Sequence, residues 1–260
     1  VWAWRRYRLA KIRASVDLMM TLFPFEARFY AEQGMPAAYV GHPLADEIPL
    51  AGKGPAIAGA NACSGAAGCV ALLPGSRMAE LRRLLPVFLE TARLCVEARP
   101  GLRFVLPVAA PHLMRLCRQW LRKRAYASLP VRLLDGNARQ AMAAADAVLV
   151  ASGTATLECL LLGRPMIVAY RLHPLSYPLV KHMLKVPFVS LPNLLLGAKR
   201  VPEYLQNEAE PRRLAAAVLE LLEDPQLAAR QTQAFQTVHH ELRQQAAERA
   251  AALVLERAGQ

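Results

Sequence analysis

Residues 147–158, with the sequence AVLVASGTATLE, decide the fold of this chain. The apolar run 147–150 predicts a buried strand, and the small residues after it predict a turn that leads into a helix containing Glu158. Backbone N–H groups and hydroxyls at a helix N-terminus favour an anion, whereas a carboxylate one turn later accepts hydrogen bonds from sugar hydroxyls. The stretch therefore predicts a site for a nucleotide-sugar, although Ser, Gly and Thr are also common in ordinary helix caps.

Short apolar strands alternate with helices on both sides of this stretch. We predict further strands at residues 69–73, 103–107, 131–134 and 165–169, with helices between them. Such alternation is typical of a parallel sheet covered on both faces and connected by right-handed crossovers. The predicted fold class is therefore α/β, with a doubly wound sheet.

Composition changes along the chain predict its division into domains. Residues 51–68 are rich in Gly, Ala, Ser and Pro, which predicts a linker or long loop between residues 1–50 and a domain at 69–225. Residues 226–260 are predicted to form a C-terminal helix that packs across the domains.

A second turn, Pro-Gly-Ser-Arg at residues 74–77, follows the strand at 69–73. Ligands bind at the carboxyl ends of the strands in such sheets, so this turn and Ser152, Gly153 and Thr154 are expected at one edge. Arg77 suits a diphosphate, and Ser76 either caps the helix or contributes a hydroxyl contact. Because a cation is unfavourable at a helix N-terminus, an anionic ligand explains Arg77 better than an ordinary surface position does.

Three further residues are weaker candidates. Arg171 follows the strand at 165–169, again at the carboxyl edge. Asn193, after a proline, is by default a turn residue and contacts a nucleotide only if its loop folds back over it. His42 lies close to the predicted linker, where it either contacts a substrate in a cleft or bonds a carbonyl group in a hinge.

Charge and composition narrow the function classes. The net charge of +12 favours an anionic partner: nucleic acid, an acidic membrane or a phosphorylated substrate. No apolar run reaches the roughly 18 residues of a membrane-spanning helix.

The five cysteines form no CxxC pair and the six histidines show no ligand spacing, so we expect reduced thiols, a cytoplasmic location and no metal. The start at Val1, without an apolar signal segment, predicts a fragment. Two basic clusters are residues 5–13 and residues 115–124.

Seven motifs together resemble the lipid-A-disaccharide synthase family in order and spacing over essentially the whole chain. They are VWAWRRYRLAKI (1–12), LFPFE (22–26), GHPLAD (41–46), ALLPGSRMAEL (71–81), LLDG (133–136), ASGTATLE (151–158) and VSLPNLLLG (189–197). The resemblance implies a GT-B glycosyltransferase with one complete Rossmann-like C-terminal domain. Residues 1–50 would be the last units of a truncated N-terminal, acceptor-side domain.

The implied activity is that of an inverting hexosyltransferase in lipid A and lipopolysaccharide biosynthesis. It would transfer 2,3-diacylglucosamine from its UDP derivative to 2,3-diacylglucosamine 1-phosphate, releasing UDP. Glu158 matches the acidic residue that holds the ribose in related enzymes, and Asn193 matches a position near the nucleotide. The general base would lie in the absent part, so we expect this chain to bind UDP without catalysing transfer. No cofactor is implied.

The same resemblance implies a place for the protein in the cell. It would be peripheral on the inner face of the inner membrane of a Gram-negative bacterium. The two basic clusters would contact anionic lipid, and a homodimer is left open.

Two other functions compete with this hypothesis. A UDP-N-acetylglucosamine 2-epimerase-like enzyme shares the architecture and needs no lipid. A basic nucleic-acid-binding protein would explain the charge, but the chain has no RNA-binding aromatic motif or zinc finger. We therefore expect no nucleic-acid partner.

Overall fold

The computed structural model describes residues 8–50, 67–172 and 188–259, which belong to two compact units. Of the described residues, the first unit comprises 8–50 and 236–259, and the second comprises 67–172 and 188–235. Apart from its last two residues, the predicted linker at 51–68 lies outside the described residues. The predicted domain division therefore stays a prediction.

The second unit contains a parallel sheet, with each strand paired in parallel to its neighbours. The strands are β3 (Gly68–Leu73), β4 (Leu102–Val108), β5 (Val131–Asp135), β6 (Ala147–Ala151), β7 (Met166–Tyr170) and β8 (Glu203–Leu205). Their order in the sheet is β5-β4-β3-β6-β7-β8. The predicted doubly wound α/β fold class is confirmed, and the short edge strand β8 was not predicted.

Helices cover both faces of this sheet. They are α4 (Met78–Ala98), α5 (Pro111–Leu121), α6 (Ala138–Ala144), α7 (Thr154–Leu161), α8 (Leu191–Leu196) and α9 (Pro211–Glu223). The apolar residues of α4 recur at helical spacing, and Leu81, Leu85 and Phe88 are at most 2% exposed. Burial of a side chain of this size contributes about 1.5–3 kcal/mol, so the α4 face fixes the helix on the sheet.

The central strands explain why the sequence pattern was informative. Every residue of β6 is buried, as are five of the six residues of β3. A strand buried on both faces is a continuous apolar run, which distinguishes it from an alternating surface strand. The Asp146 carboxylate accepts a hydrogen bond of 2.8 Å from the Cys69 N–H, so it fixes the start of β3 beside β6.

The strand order places a topological switch point between β3 and β6. From β3 the chain proceeds outward through β4 and β5, and from β6 it proceeds the other way through β7 and β8. The two strands are in register, with Leu73 opposite Val150. Their following turns therefore lie side by side, in the crevice where doubly wound folds bind ligands.

The cysteines correct one expectation. Cys95, Cys117 and Cys159 are buried free thiols, and burial raises the pKa of Cys95 to about 12 and that of Cys117 to about 11. Cys69, by contrast, is disulfide-bonded in the structure. The expectation that all five cysteines are reduced is therefore wrong for Cys69.

The first unit contains a two-stranded parallel sheet of β1 (Met19–Thr21) and β2 (Ala37–Tyr39). Its helices are α1 (Leu9–Arg13), α2 (Pro24–Glu32), α3 (Pro43–Glu47) and α11 (Ala246–Ala258), together with the last part of α10 (Pro225–Leu242).

The C-terminal segment forms two helices, where the sequence predicted a single helix near residues 226–257. Gln245, between α10 and α11, has a left-handed backbone with φ 56°. The Asp46 carboxylate accepts hydrogen bonds from the N–H groups of Gln245 and Ala246, at 3.0 and 2.7 Å. An acidic side chain at this place stabilises the start of α11 and explains the break.

No helix in the described residues is long and apolar enough to cross a membrane.

Candidate functional site

The turns after β3 and β6 line one cavity of about 330 Å³. Four of the predicted binding residues lie in these turns, and Thr154 and Glu158 of α7 line the same cavity. The residues from the prediction that the cavity brings together are Ser76, Arg77, Ser152, Gly153, Thr154 and Glu158. Ser76, Arg77, Gly153 and Thr154 are exposed to solvent, so the cavity is open to a ligand.

Gly75 determines the shape of the turn after β3. Its φ of 114° lies in the region that favours glycine. A Cβ atom at Gly75 would lie 2.7 Å from Cβ of Glu80 and 2.8 Å from Glu80 Oε2. The backbone of this turn therefore packs directly against the Glu80 side chain in the first turn of α4.

Arg77 is the N-cap residue of α4, and no side chain caps the helix. The alternative in which Ser76 caps the helix is therefore wrong, whereas a hydroxyl contact from Ser76 stays a prediction. The Arg77 side chain is 81% exposed, and its Nη1 lies 2.9 Å from Glu80 Oε1. Glu80 thus balances a cation that would otherwise be unfavourable at the helix N-terminus.

The turn after β6 leaves a second helix without a side-chain cap. Gly153 is the N-cap of α7 and has an extended backbone. Both the N–H and the hydroxyl of Thr156 donate to the Gly153 carbonyl, at 3.1 and 2.7 Å. The Ser152 hydroxyl donates to the Val189 carbonyl at 3.1 Å. The first N–H groups of α7 are thus left for another acceptor.

Glu158 lies one turn into α7, and its side chain is 24% exposed. Its Oε1 lies 3.5 Å from Nε of Arg139, a residue of α6. The carboxylate is therefore held at the cavity wall and keeps oxygen lone pairs for further donors.

Sequence reasoning missed part of the cavity wall. Pro107 near the end of β4 and Ala109 just after it line the cavity, as do Gly136 after β5 and Ala138 at the start of α6. Because these positions also follow the carboxyl ends of strands, the strand pattern contained the signal that finds them. Glu80 was missed as well, since a carboxylate is not expected in a pocket for phosphate.

Asn193 does not line this cavity. Its side chain is buried and makes four hydrogen bonds within the protein. Nδ2 donates to the Val201 carbonyl and to Glu203, and Oδ1 accepts from the N–H groups of Arg200 and Val201, all at 2.8–2.9 Å. An amide side chain has two donor hydrogens and two acceptor lone pairs, so Asn193 is fully satisfied without a ligand.

Arg171 also lies outside this cavity. Its Nε donates to the Gln206 carbonyl at 3.2 Å, and its Nη2 donates to the Ala209 carbonyl at 2.7 Å. Burial lowers the pKa of its guanidinium. These bonds tie the residue after β7 to the segment after β8, so a direct ligand contact by Arg171 stays a prediction.

His42 belongs to the first unit, where it starts α3. Its Nδ1 accepts a 3.2 Å hydrogen bond from the Leu44 N–H, and its ring packs against Phe23 with a centroid separation of 5.4 Å. Burial lowers the pKa of His42, while Asp46 and Glu47 oppose this shift. The structure shows a helix cap, and the contact with a substrate stays a prediction.

The described residues contain no group of three or more His, Cys, Asp or Glu side chains suited to holding a metal ion. The expectation of a metal-free site stays a prediction.

Comparison with solved structures confirms the GT-B architecture. The pneumococcal O-GlcNAc transferase GtfA, solved with UDP and GlcNAc, matches with a TM-score of 0.61 at 13% identity over 96% of this chain and 47% of its own. A UDP-N-acetylglucosamine 2-epimerase from Listeria monocytogenes matches with a TM-score of 0.55 at 15% identity over 84% of this chain and 54% of its own. Because the transferase and the epimerase share this fold, the fold alone does not choose between the two activities.

Sequence comparison separates these alternatives. The lipid-A-disaccharide synthase of Azotobacter vinelandii is 52% identical over 257 residues, which are 98% of this chain and 67% of that protein. This chain thus spans about two thirds of the length of the curated relatives it matches. The family model for lipid-A-disaccharide synthetase matches residues 1–257. The chain therefore belongs to the lipid-A-disaccharide synthetase family, whose members are glycosyltransferases of lipid A biosynthesis.

Proposed function

We propose that the cavity of the second unit binds the UDP moiety of UDP-2,3-diacylglucosamine. The observation that carries this proposal is the convergence of two helix N-termini without side-chain caps, those of α4 and α7, on one cavity. Unsatisfied N–H groups at helix N-termini attract a diphosphate, and Arg77 adds an exposed cation at the rim. Glu158 accepts hydrogen bonds from the ribose hydroxyls.

The same groups serve the leaving diphosphate during transfer. When the bond between the sugar and the diphosphate breaks, its oxygen keeps the electron pair and the diphosphate gains a negative charge. N–H dipoles that are already in place stabilise this charge without reorganising, and the guanidinium of Arg77 adds to them. Neither a metal nor a cofactor is needed for that step in this proposal.

The acceptor is 2,3-diacylglucosamine 1-phosphate, and the products are the lipid A disaccharide 1-phosphate and UDP. This assignment rests on the family and on the names of the relatives. We assign no residue of this chain as the general base that receives the proton of the acceptor hydroxyl.

Arg171 and Asn193 act in this proposal through the loops they fix. Asn193 and Glu203 hold the segment before α8, since Glu203 also accepts from the N–H groups of Val189 and Ser190 at 3.1 and 3.0 Å. Ser152 in turn bonds the carbonyl of Val189. The buried network thus supports the turn that faces the diphosphate.

Calorimetric titration with UDP tests the site. We expect both Glu158→Ala and Arg77→Ala to weaken UDP binding by about tenfold or more, the effect of losing a charge-assisted hydrogen bond. Arg230→Ala is the matched control, since Arg230 is an exposed arginine 3.7 Å from Asp224 and does not line the cavity. Undiminished binding by both site variants would remove the assignment.

We further propose that the protein is peripheral on an anionic membrane surface, at the inner face of the inner membrane. Arg115, Arg118 and Arg122 lie on one face of the segment around α5 and line a groove of about 580 Å³ with Asp135. All three arginines are exposed, so they attract anionic headgroups at low ionic strength. Of the other basic cluster, Arg5 and Arg6 lie outside the described residues, and Arg13 donates to the Gln33 carbonyl.

Sedimentation with liposomes tests this contact. The wild-type chain should sediment with vesicles that contain anionic phospholipid and remain in solution with neutral vesicles. Reversing the charge of Arg115, Arg118 and Arg122 together should reduce the bound fraction, whereas reversing Arg230 should not. Equal sedimentation of all variants would exclude the α5 face as the contact.

A further inference from the structure

A carboxylate lies in the cavity proposed for the diphosphate, and the UDP site proposed above gives it no contact with the ligand. Glu80 lines the cavity together with Ser76 and Arg77, and its side chain is 23% exposed. One carboxylate oxygen pairs with Arg77 at 2.9 Å, and the other lies against Gly75. Glu80 is thus in contact with both the turn and the cation that would meet the phosphates.

This position has opposite effects in the free and the occupied cavity. Without ligand, a negative charge in the first turn of α4 is stabilised by the helix dipole and by Arg77. With a diphosphate bound, the same charge repels the ligand and competes with it for Arg77. Glu80 therefore lowers the affinity for any anion here, and it does so more strongly as the charge of the anion rises.

We propose that Glu80 is a specificity-determining residue that disfavours UDP relative to a UDP-sugar. The proposal rests on the function proposed above. In a UDP-sugar both phosphates are esterified, so the diphosphate carries two negative charges. In UDP the terminal phosphate carries no ester group and has a second pKa near 6, so UDP carries about three negative charges at pH 7.5. The Glu80 carboxylate repels this extra negative charge and so weakens the binding of UDP more than that of a UDP-sugar.

This difference acts at the moment of product release. In the transfer, the acceptor oxygen forms a bond to the anomeric carbon and gives its proton to a base, while the bond from that carbon to the diphosphate oxygen breaks. The diphosphate leaves with the electron pair and one more negative charge than it had in the donor. A fixed carboxylate beside it therefore favours the release of UDP and its replacement by a new donor.

The test compares two ligands in the full 260-residue chain and in Glu80→Gln. UDP and UDP-N-acetylglucosamine, a soluble diphosphate diester, are titrated by calorimetry at pH 7.5. We expect Glu80→Gln to tighten UDP binding and to lower the ratio of the UDP Kd to the UDP-N-acetylglucosamine Kd by about threefold or more, a Coulomb effect reduced by solvent screening. A purely structural role of Glu80 would shift both constants together and leave the ratio unchanged.

Two further variants control the experiment. Glu97→Gln removes a carboxylate that pairs with Arg93 on the same helix and does not line the cavity, so the ratio should not change. Glu80→Asp keeps the charge and should keep most of the discrimination, which separates charge from packing against Gly75.

The outcomes separate this proposal from the one on which it rests. If the wild-type chain binds neither ligand, the UDP site itself is wrong and this proposal falls with it. If both ligands bind and Glu80→Gln leaves the ratio unchanged or raises it, the UDP site stands and the role of Glu80 is overturned. A lowered ratio in Glu80→Gln, with wild-type ratios in Glu97→Gln, supports it.

Discussion

Glu158 Oε1 and Arg139 Nε lie 3.5 Å apart, which joins α7 to α6 at the wall of the cavity. The side chains are 24% and 44% exposed, so solvent screens the pair and its contribution to stability is small, below about 1 kcal/mol. The main effect of the contact is to orient Glu158. It limits the rotamers of a carboxylate whose lone pairs are proposed to accept hydrogen bonds from the ribose.

Arg139→Ala should weaken UDP binding by about twofold to fivefold, less than Glu158→Ala, because the carboxylate remains but is less ordered. The change should fall mainly on UDP and less on 2′-deoxy-UDP, since the ribose hydroxyls are the groups read by Glu158. Calorimetry with both ligands measures this, with Arg230→Ala as the control. A larger loss than in Glu158→Ala would mean that Arg139 contacts the ligand itself.

Asn193→Ala should lower the free energy of unfolding by about 3 kcal/mol or more, because it leaves buried backbone groups and the Glu203 carboxylate without partners. Urea denaturation measures the loss. Asn207, an exposed asparagine of the short 3₁₀ turn Gln206–Glu208, provides the control, and Asn207→Ala should be neutral. A stable Asn193→Ala protein with impaired UDP binding would return Asn193 to the role of a ligand contact.

Gly75→Ala and Gly153→Ala should behave differently although both glycines line the cavity. At Gly75 a methyl group meets Glu80 and the φ of 114° is unfavourable, so we expect a loss of stability of about 2 kcal/mol together with a loss of UDP binding.

At Gly153 the backbone is extended and nothing lies within 4 Å of an added Cβ atom, so the fold should be unaffected. The methyl group would still occupy cavity space and should weaken UDP binding. Thermal unfolding and calorimetry on both variants check this pair, and equal stability losses would contradict it.

Stability should depend on pH through His239. This residue is 2% exposed, its Nε2 lies 3.1 Å from the Ala45 carbonyl oxygen, and burial lowers its pKa below the usual 6.5. Hydrogen bonds to the Ala45 and Ile48 carbonyls oppose this shift, whereas Arg243 and His240 add to it. Below about pH 6.5 the unfolded chain binds a proton that the folded His239 does not. The free energy of unfolding therefore decreases as the pH is lowered.

Urea unfolding at pH 7.5 and at pH 5.5 measures this loss. His239→Gln should reduce it, whereas His240→Gln, which changes the exposed neighbouring residue, should retain it. His42 shifts in the same direction and accounts for part of the remaining dependence. An identical loss in wild type and His239→Gln would exclude His239 as its source.

The fold was predictable where local pattern and tertiary environment agree. β6 spans Ala147–Ala151 and the prediction ended one residue earlier, because a strand buried on both faces shows itself as an apolar run. The strand β8, Glu203–Leu205, has no such run and is a strand only through its pairing with β7. The break between α10 and α11 depends on Asp46, 199 residues before Gln245, which no local window contains.

The candidate site was predictable to the same extent. Because the carboxyl ends of parallel strands share an edge, the turns at Arg77 and Ser152 were expected together and lie on one cavity. The same rule also selected Arg171, but it locates a residue without saying what the side chain binds. Arg171 bonds two carbonyl groups of its own unit, and only the packed structure reveals them.

The pairing of β3 with β6 also determines at which stage of folding the cavity forms. It brings together segments as far apart as Asp146 and Cys69, which are separated by 77 residues, more than any other strand pair in this sheet. Closing so long a loop is slow relative to pairing neighbouring segments. Neither turn alone forms the pocket, so competence to bind nucleotide should arise late in refolding, after most of the helical signal has recovered.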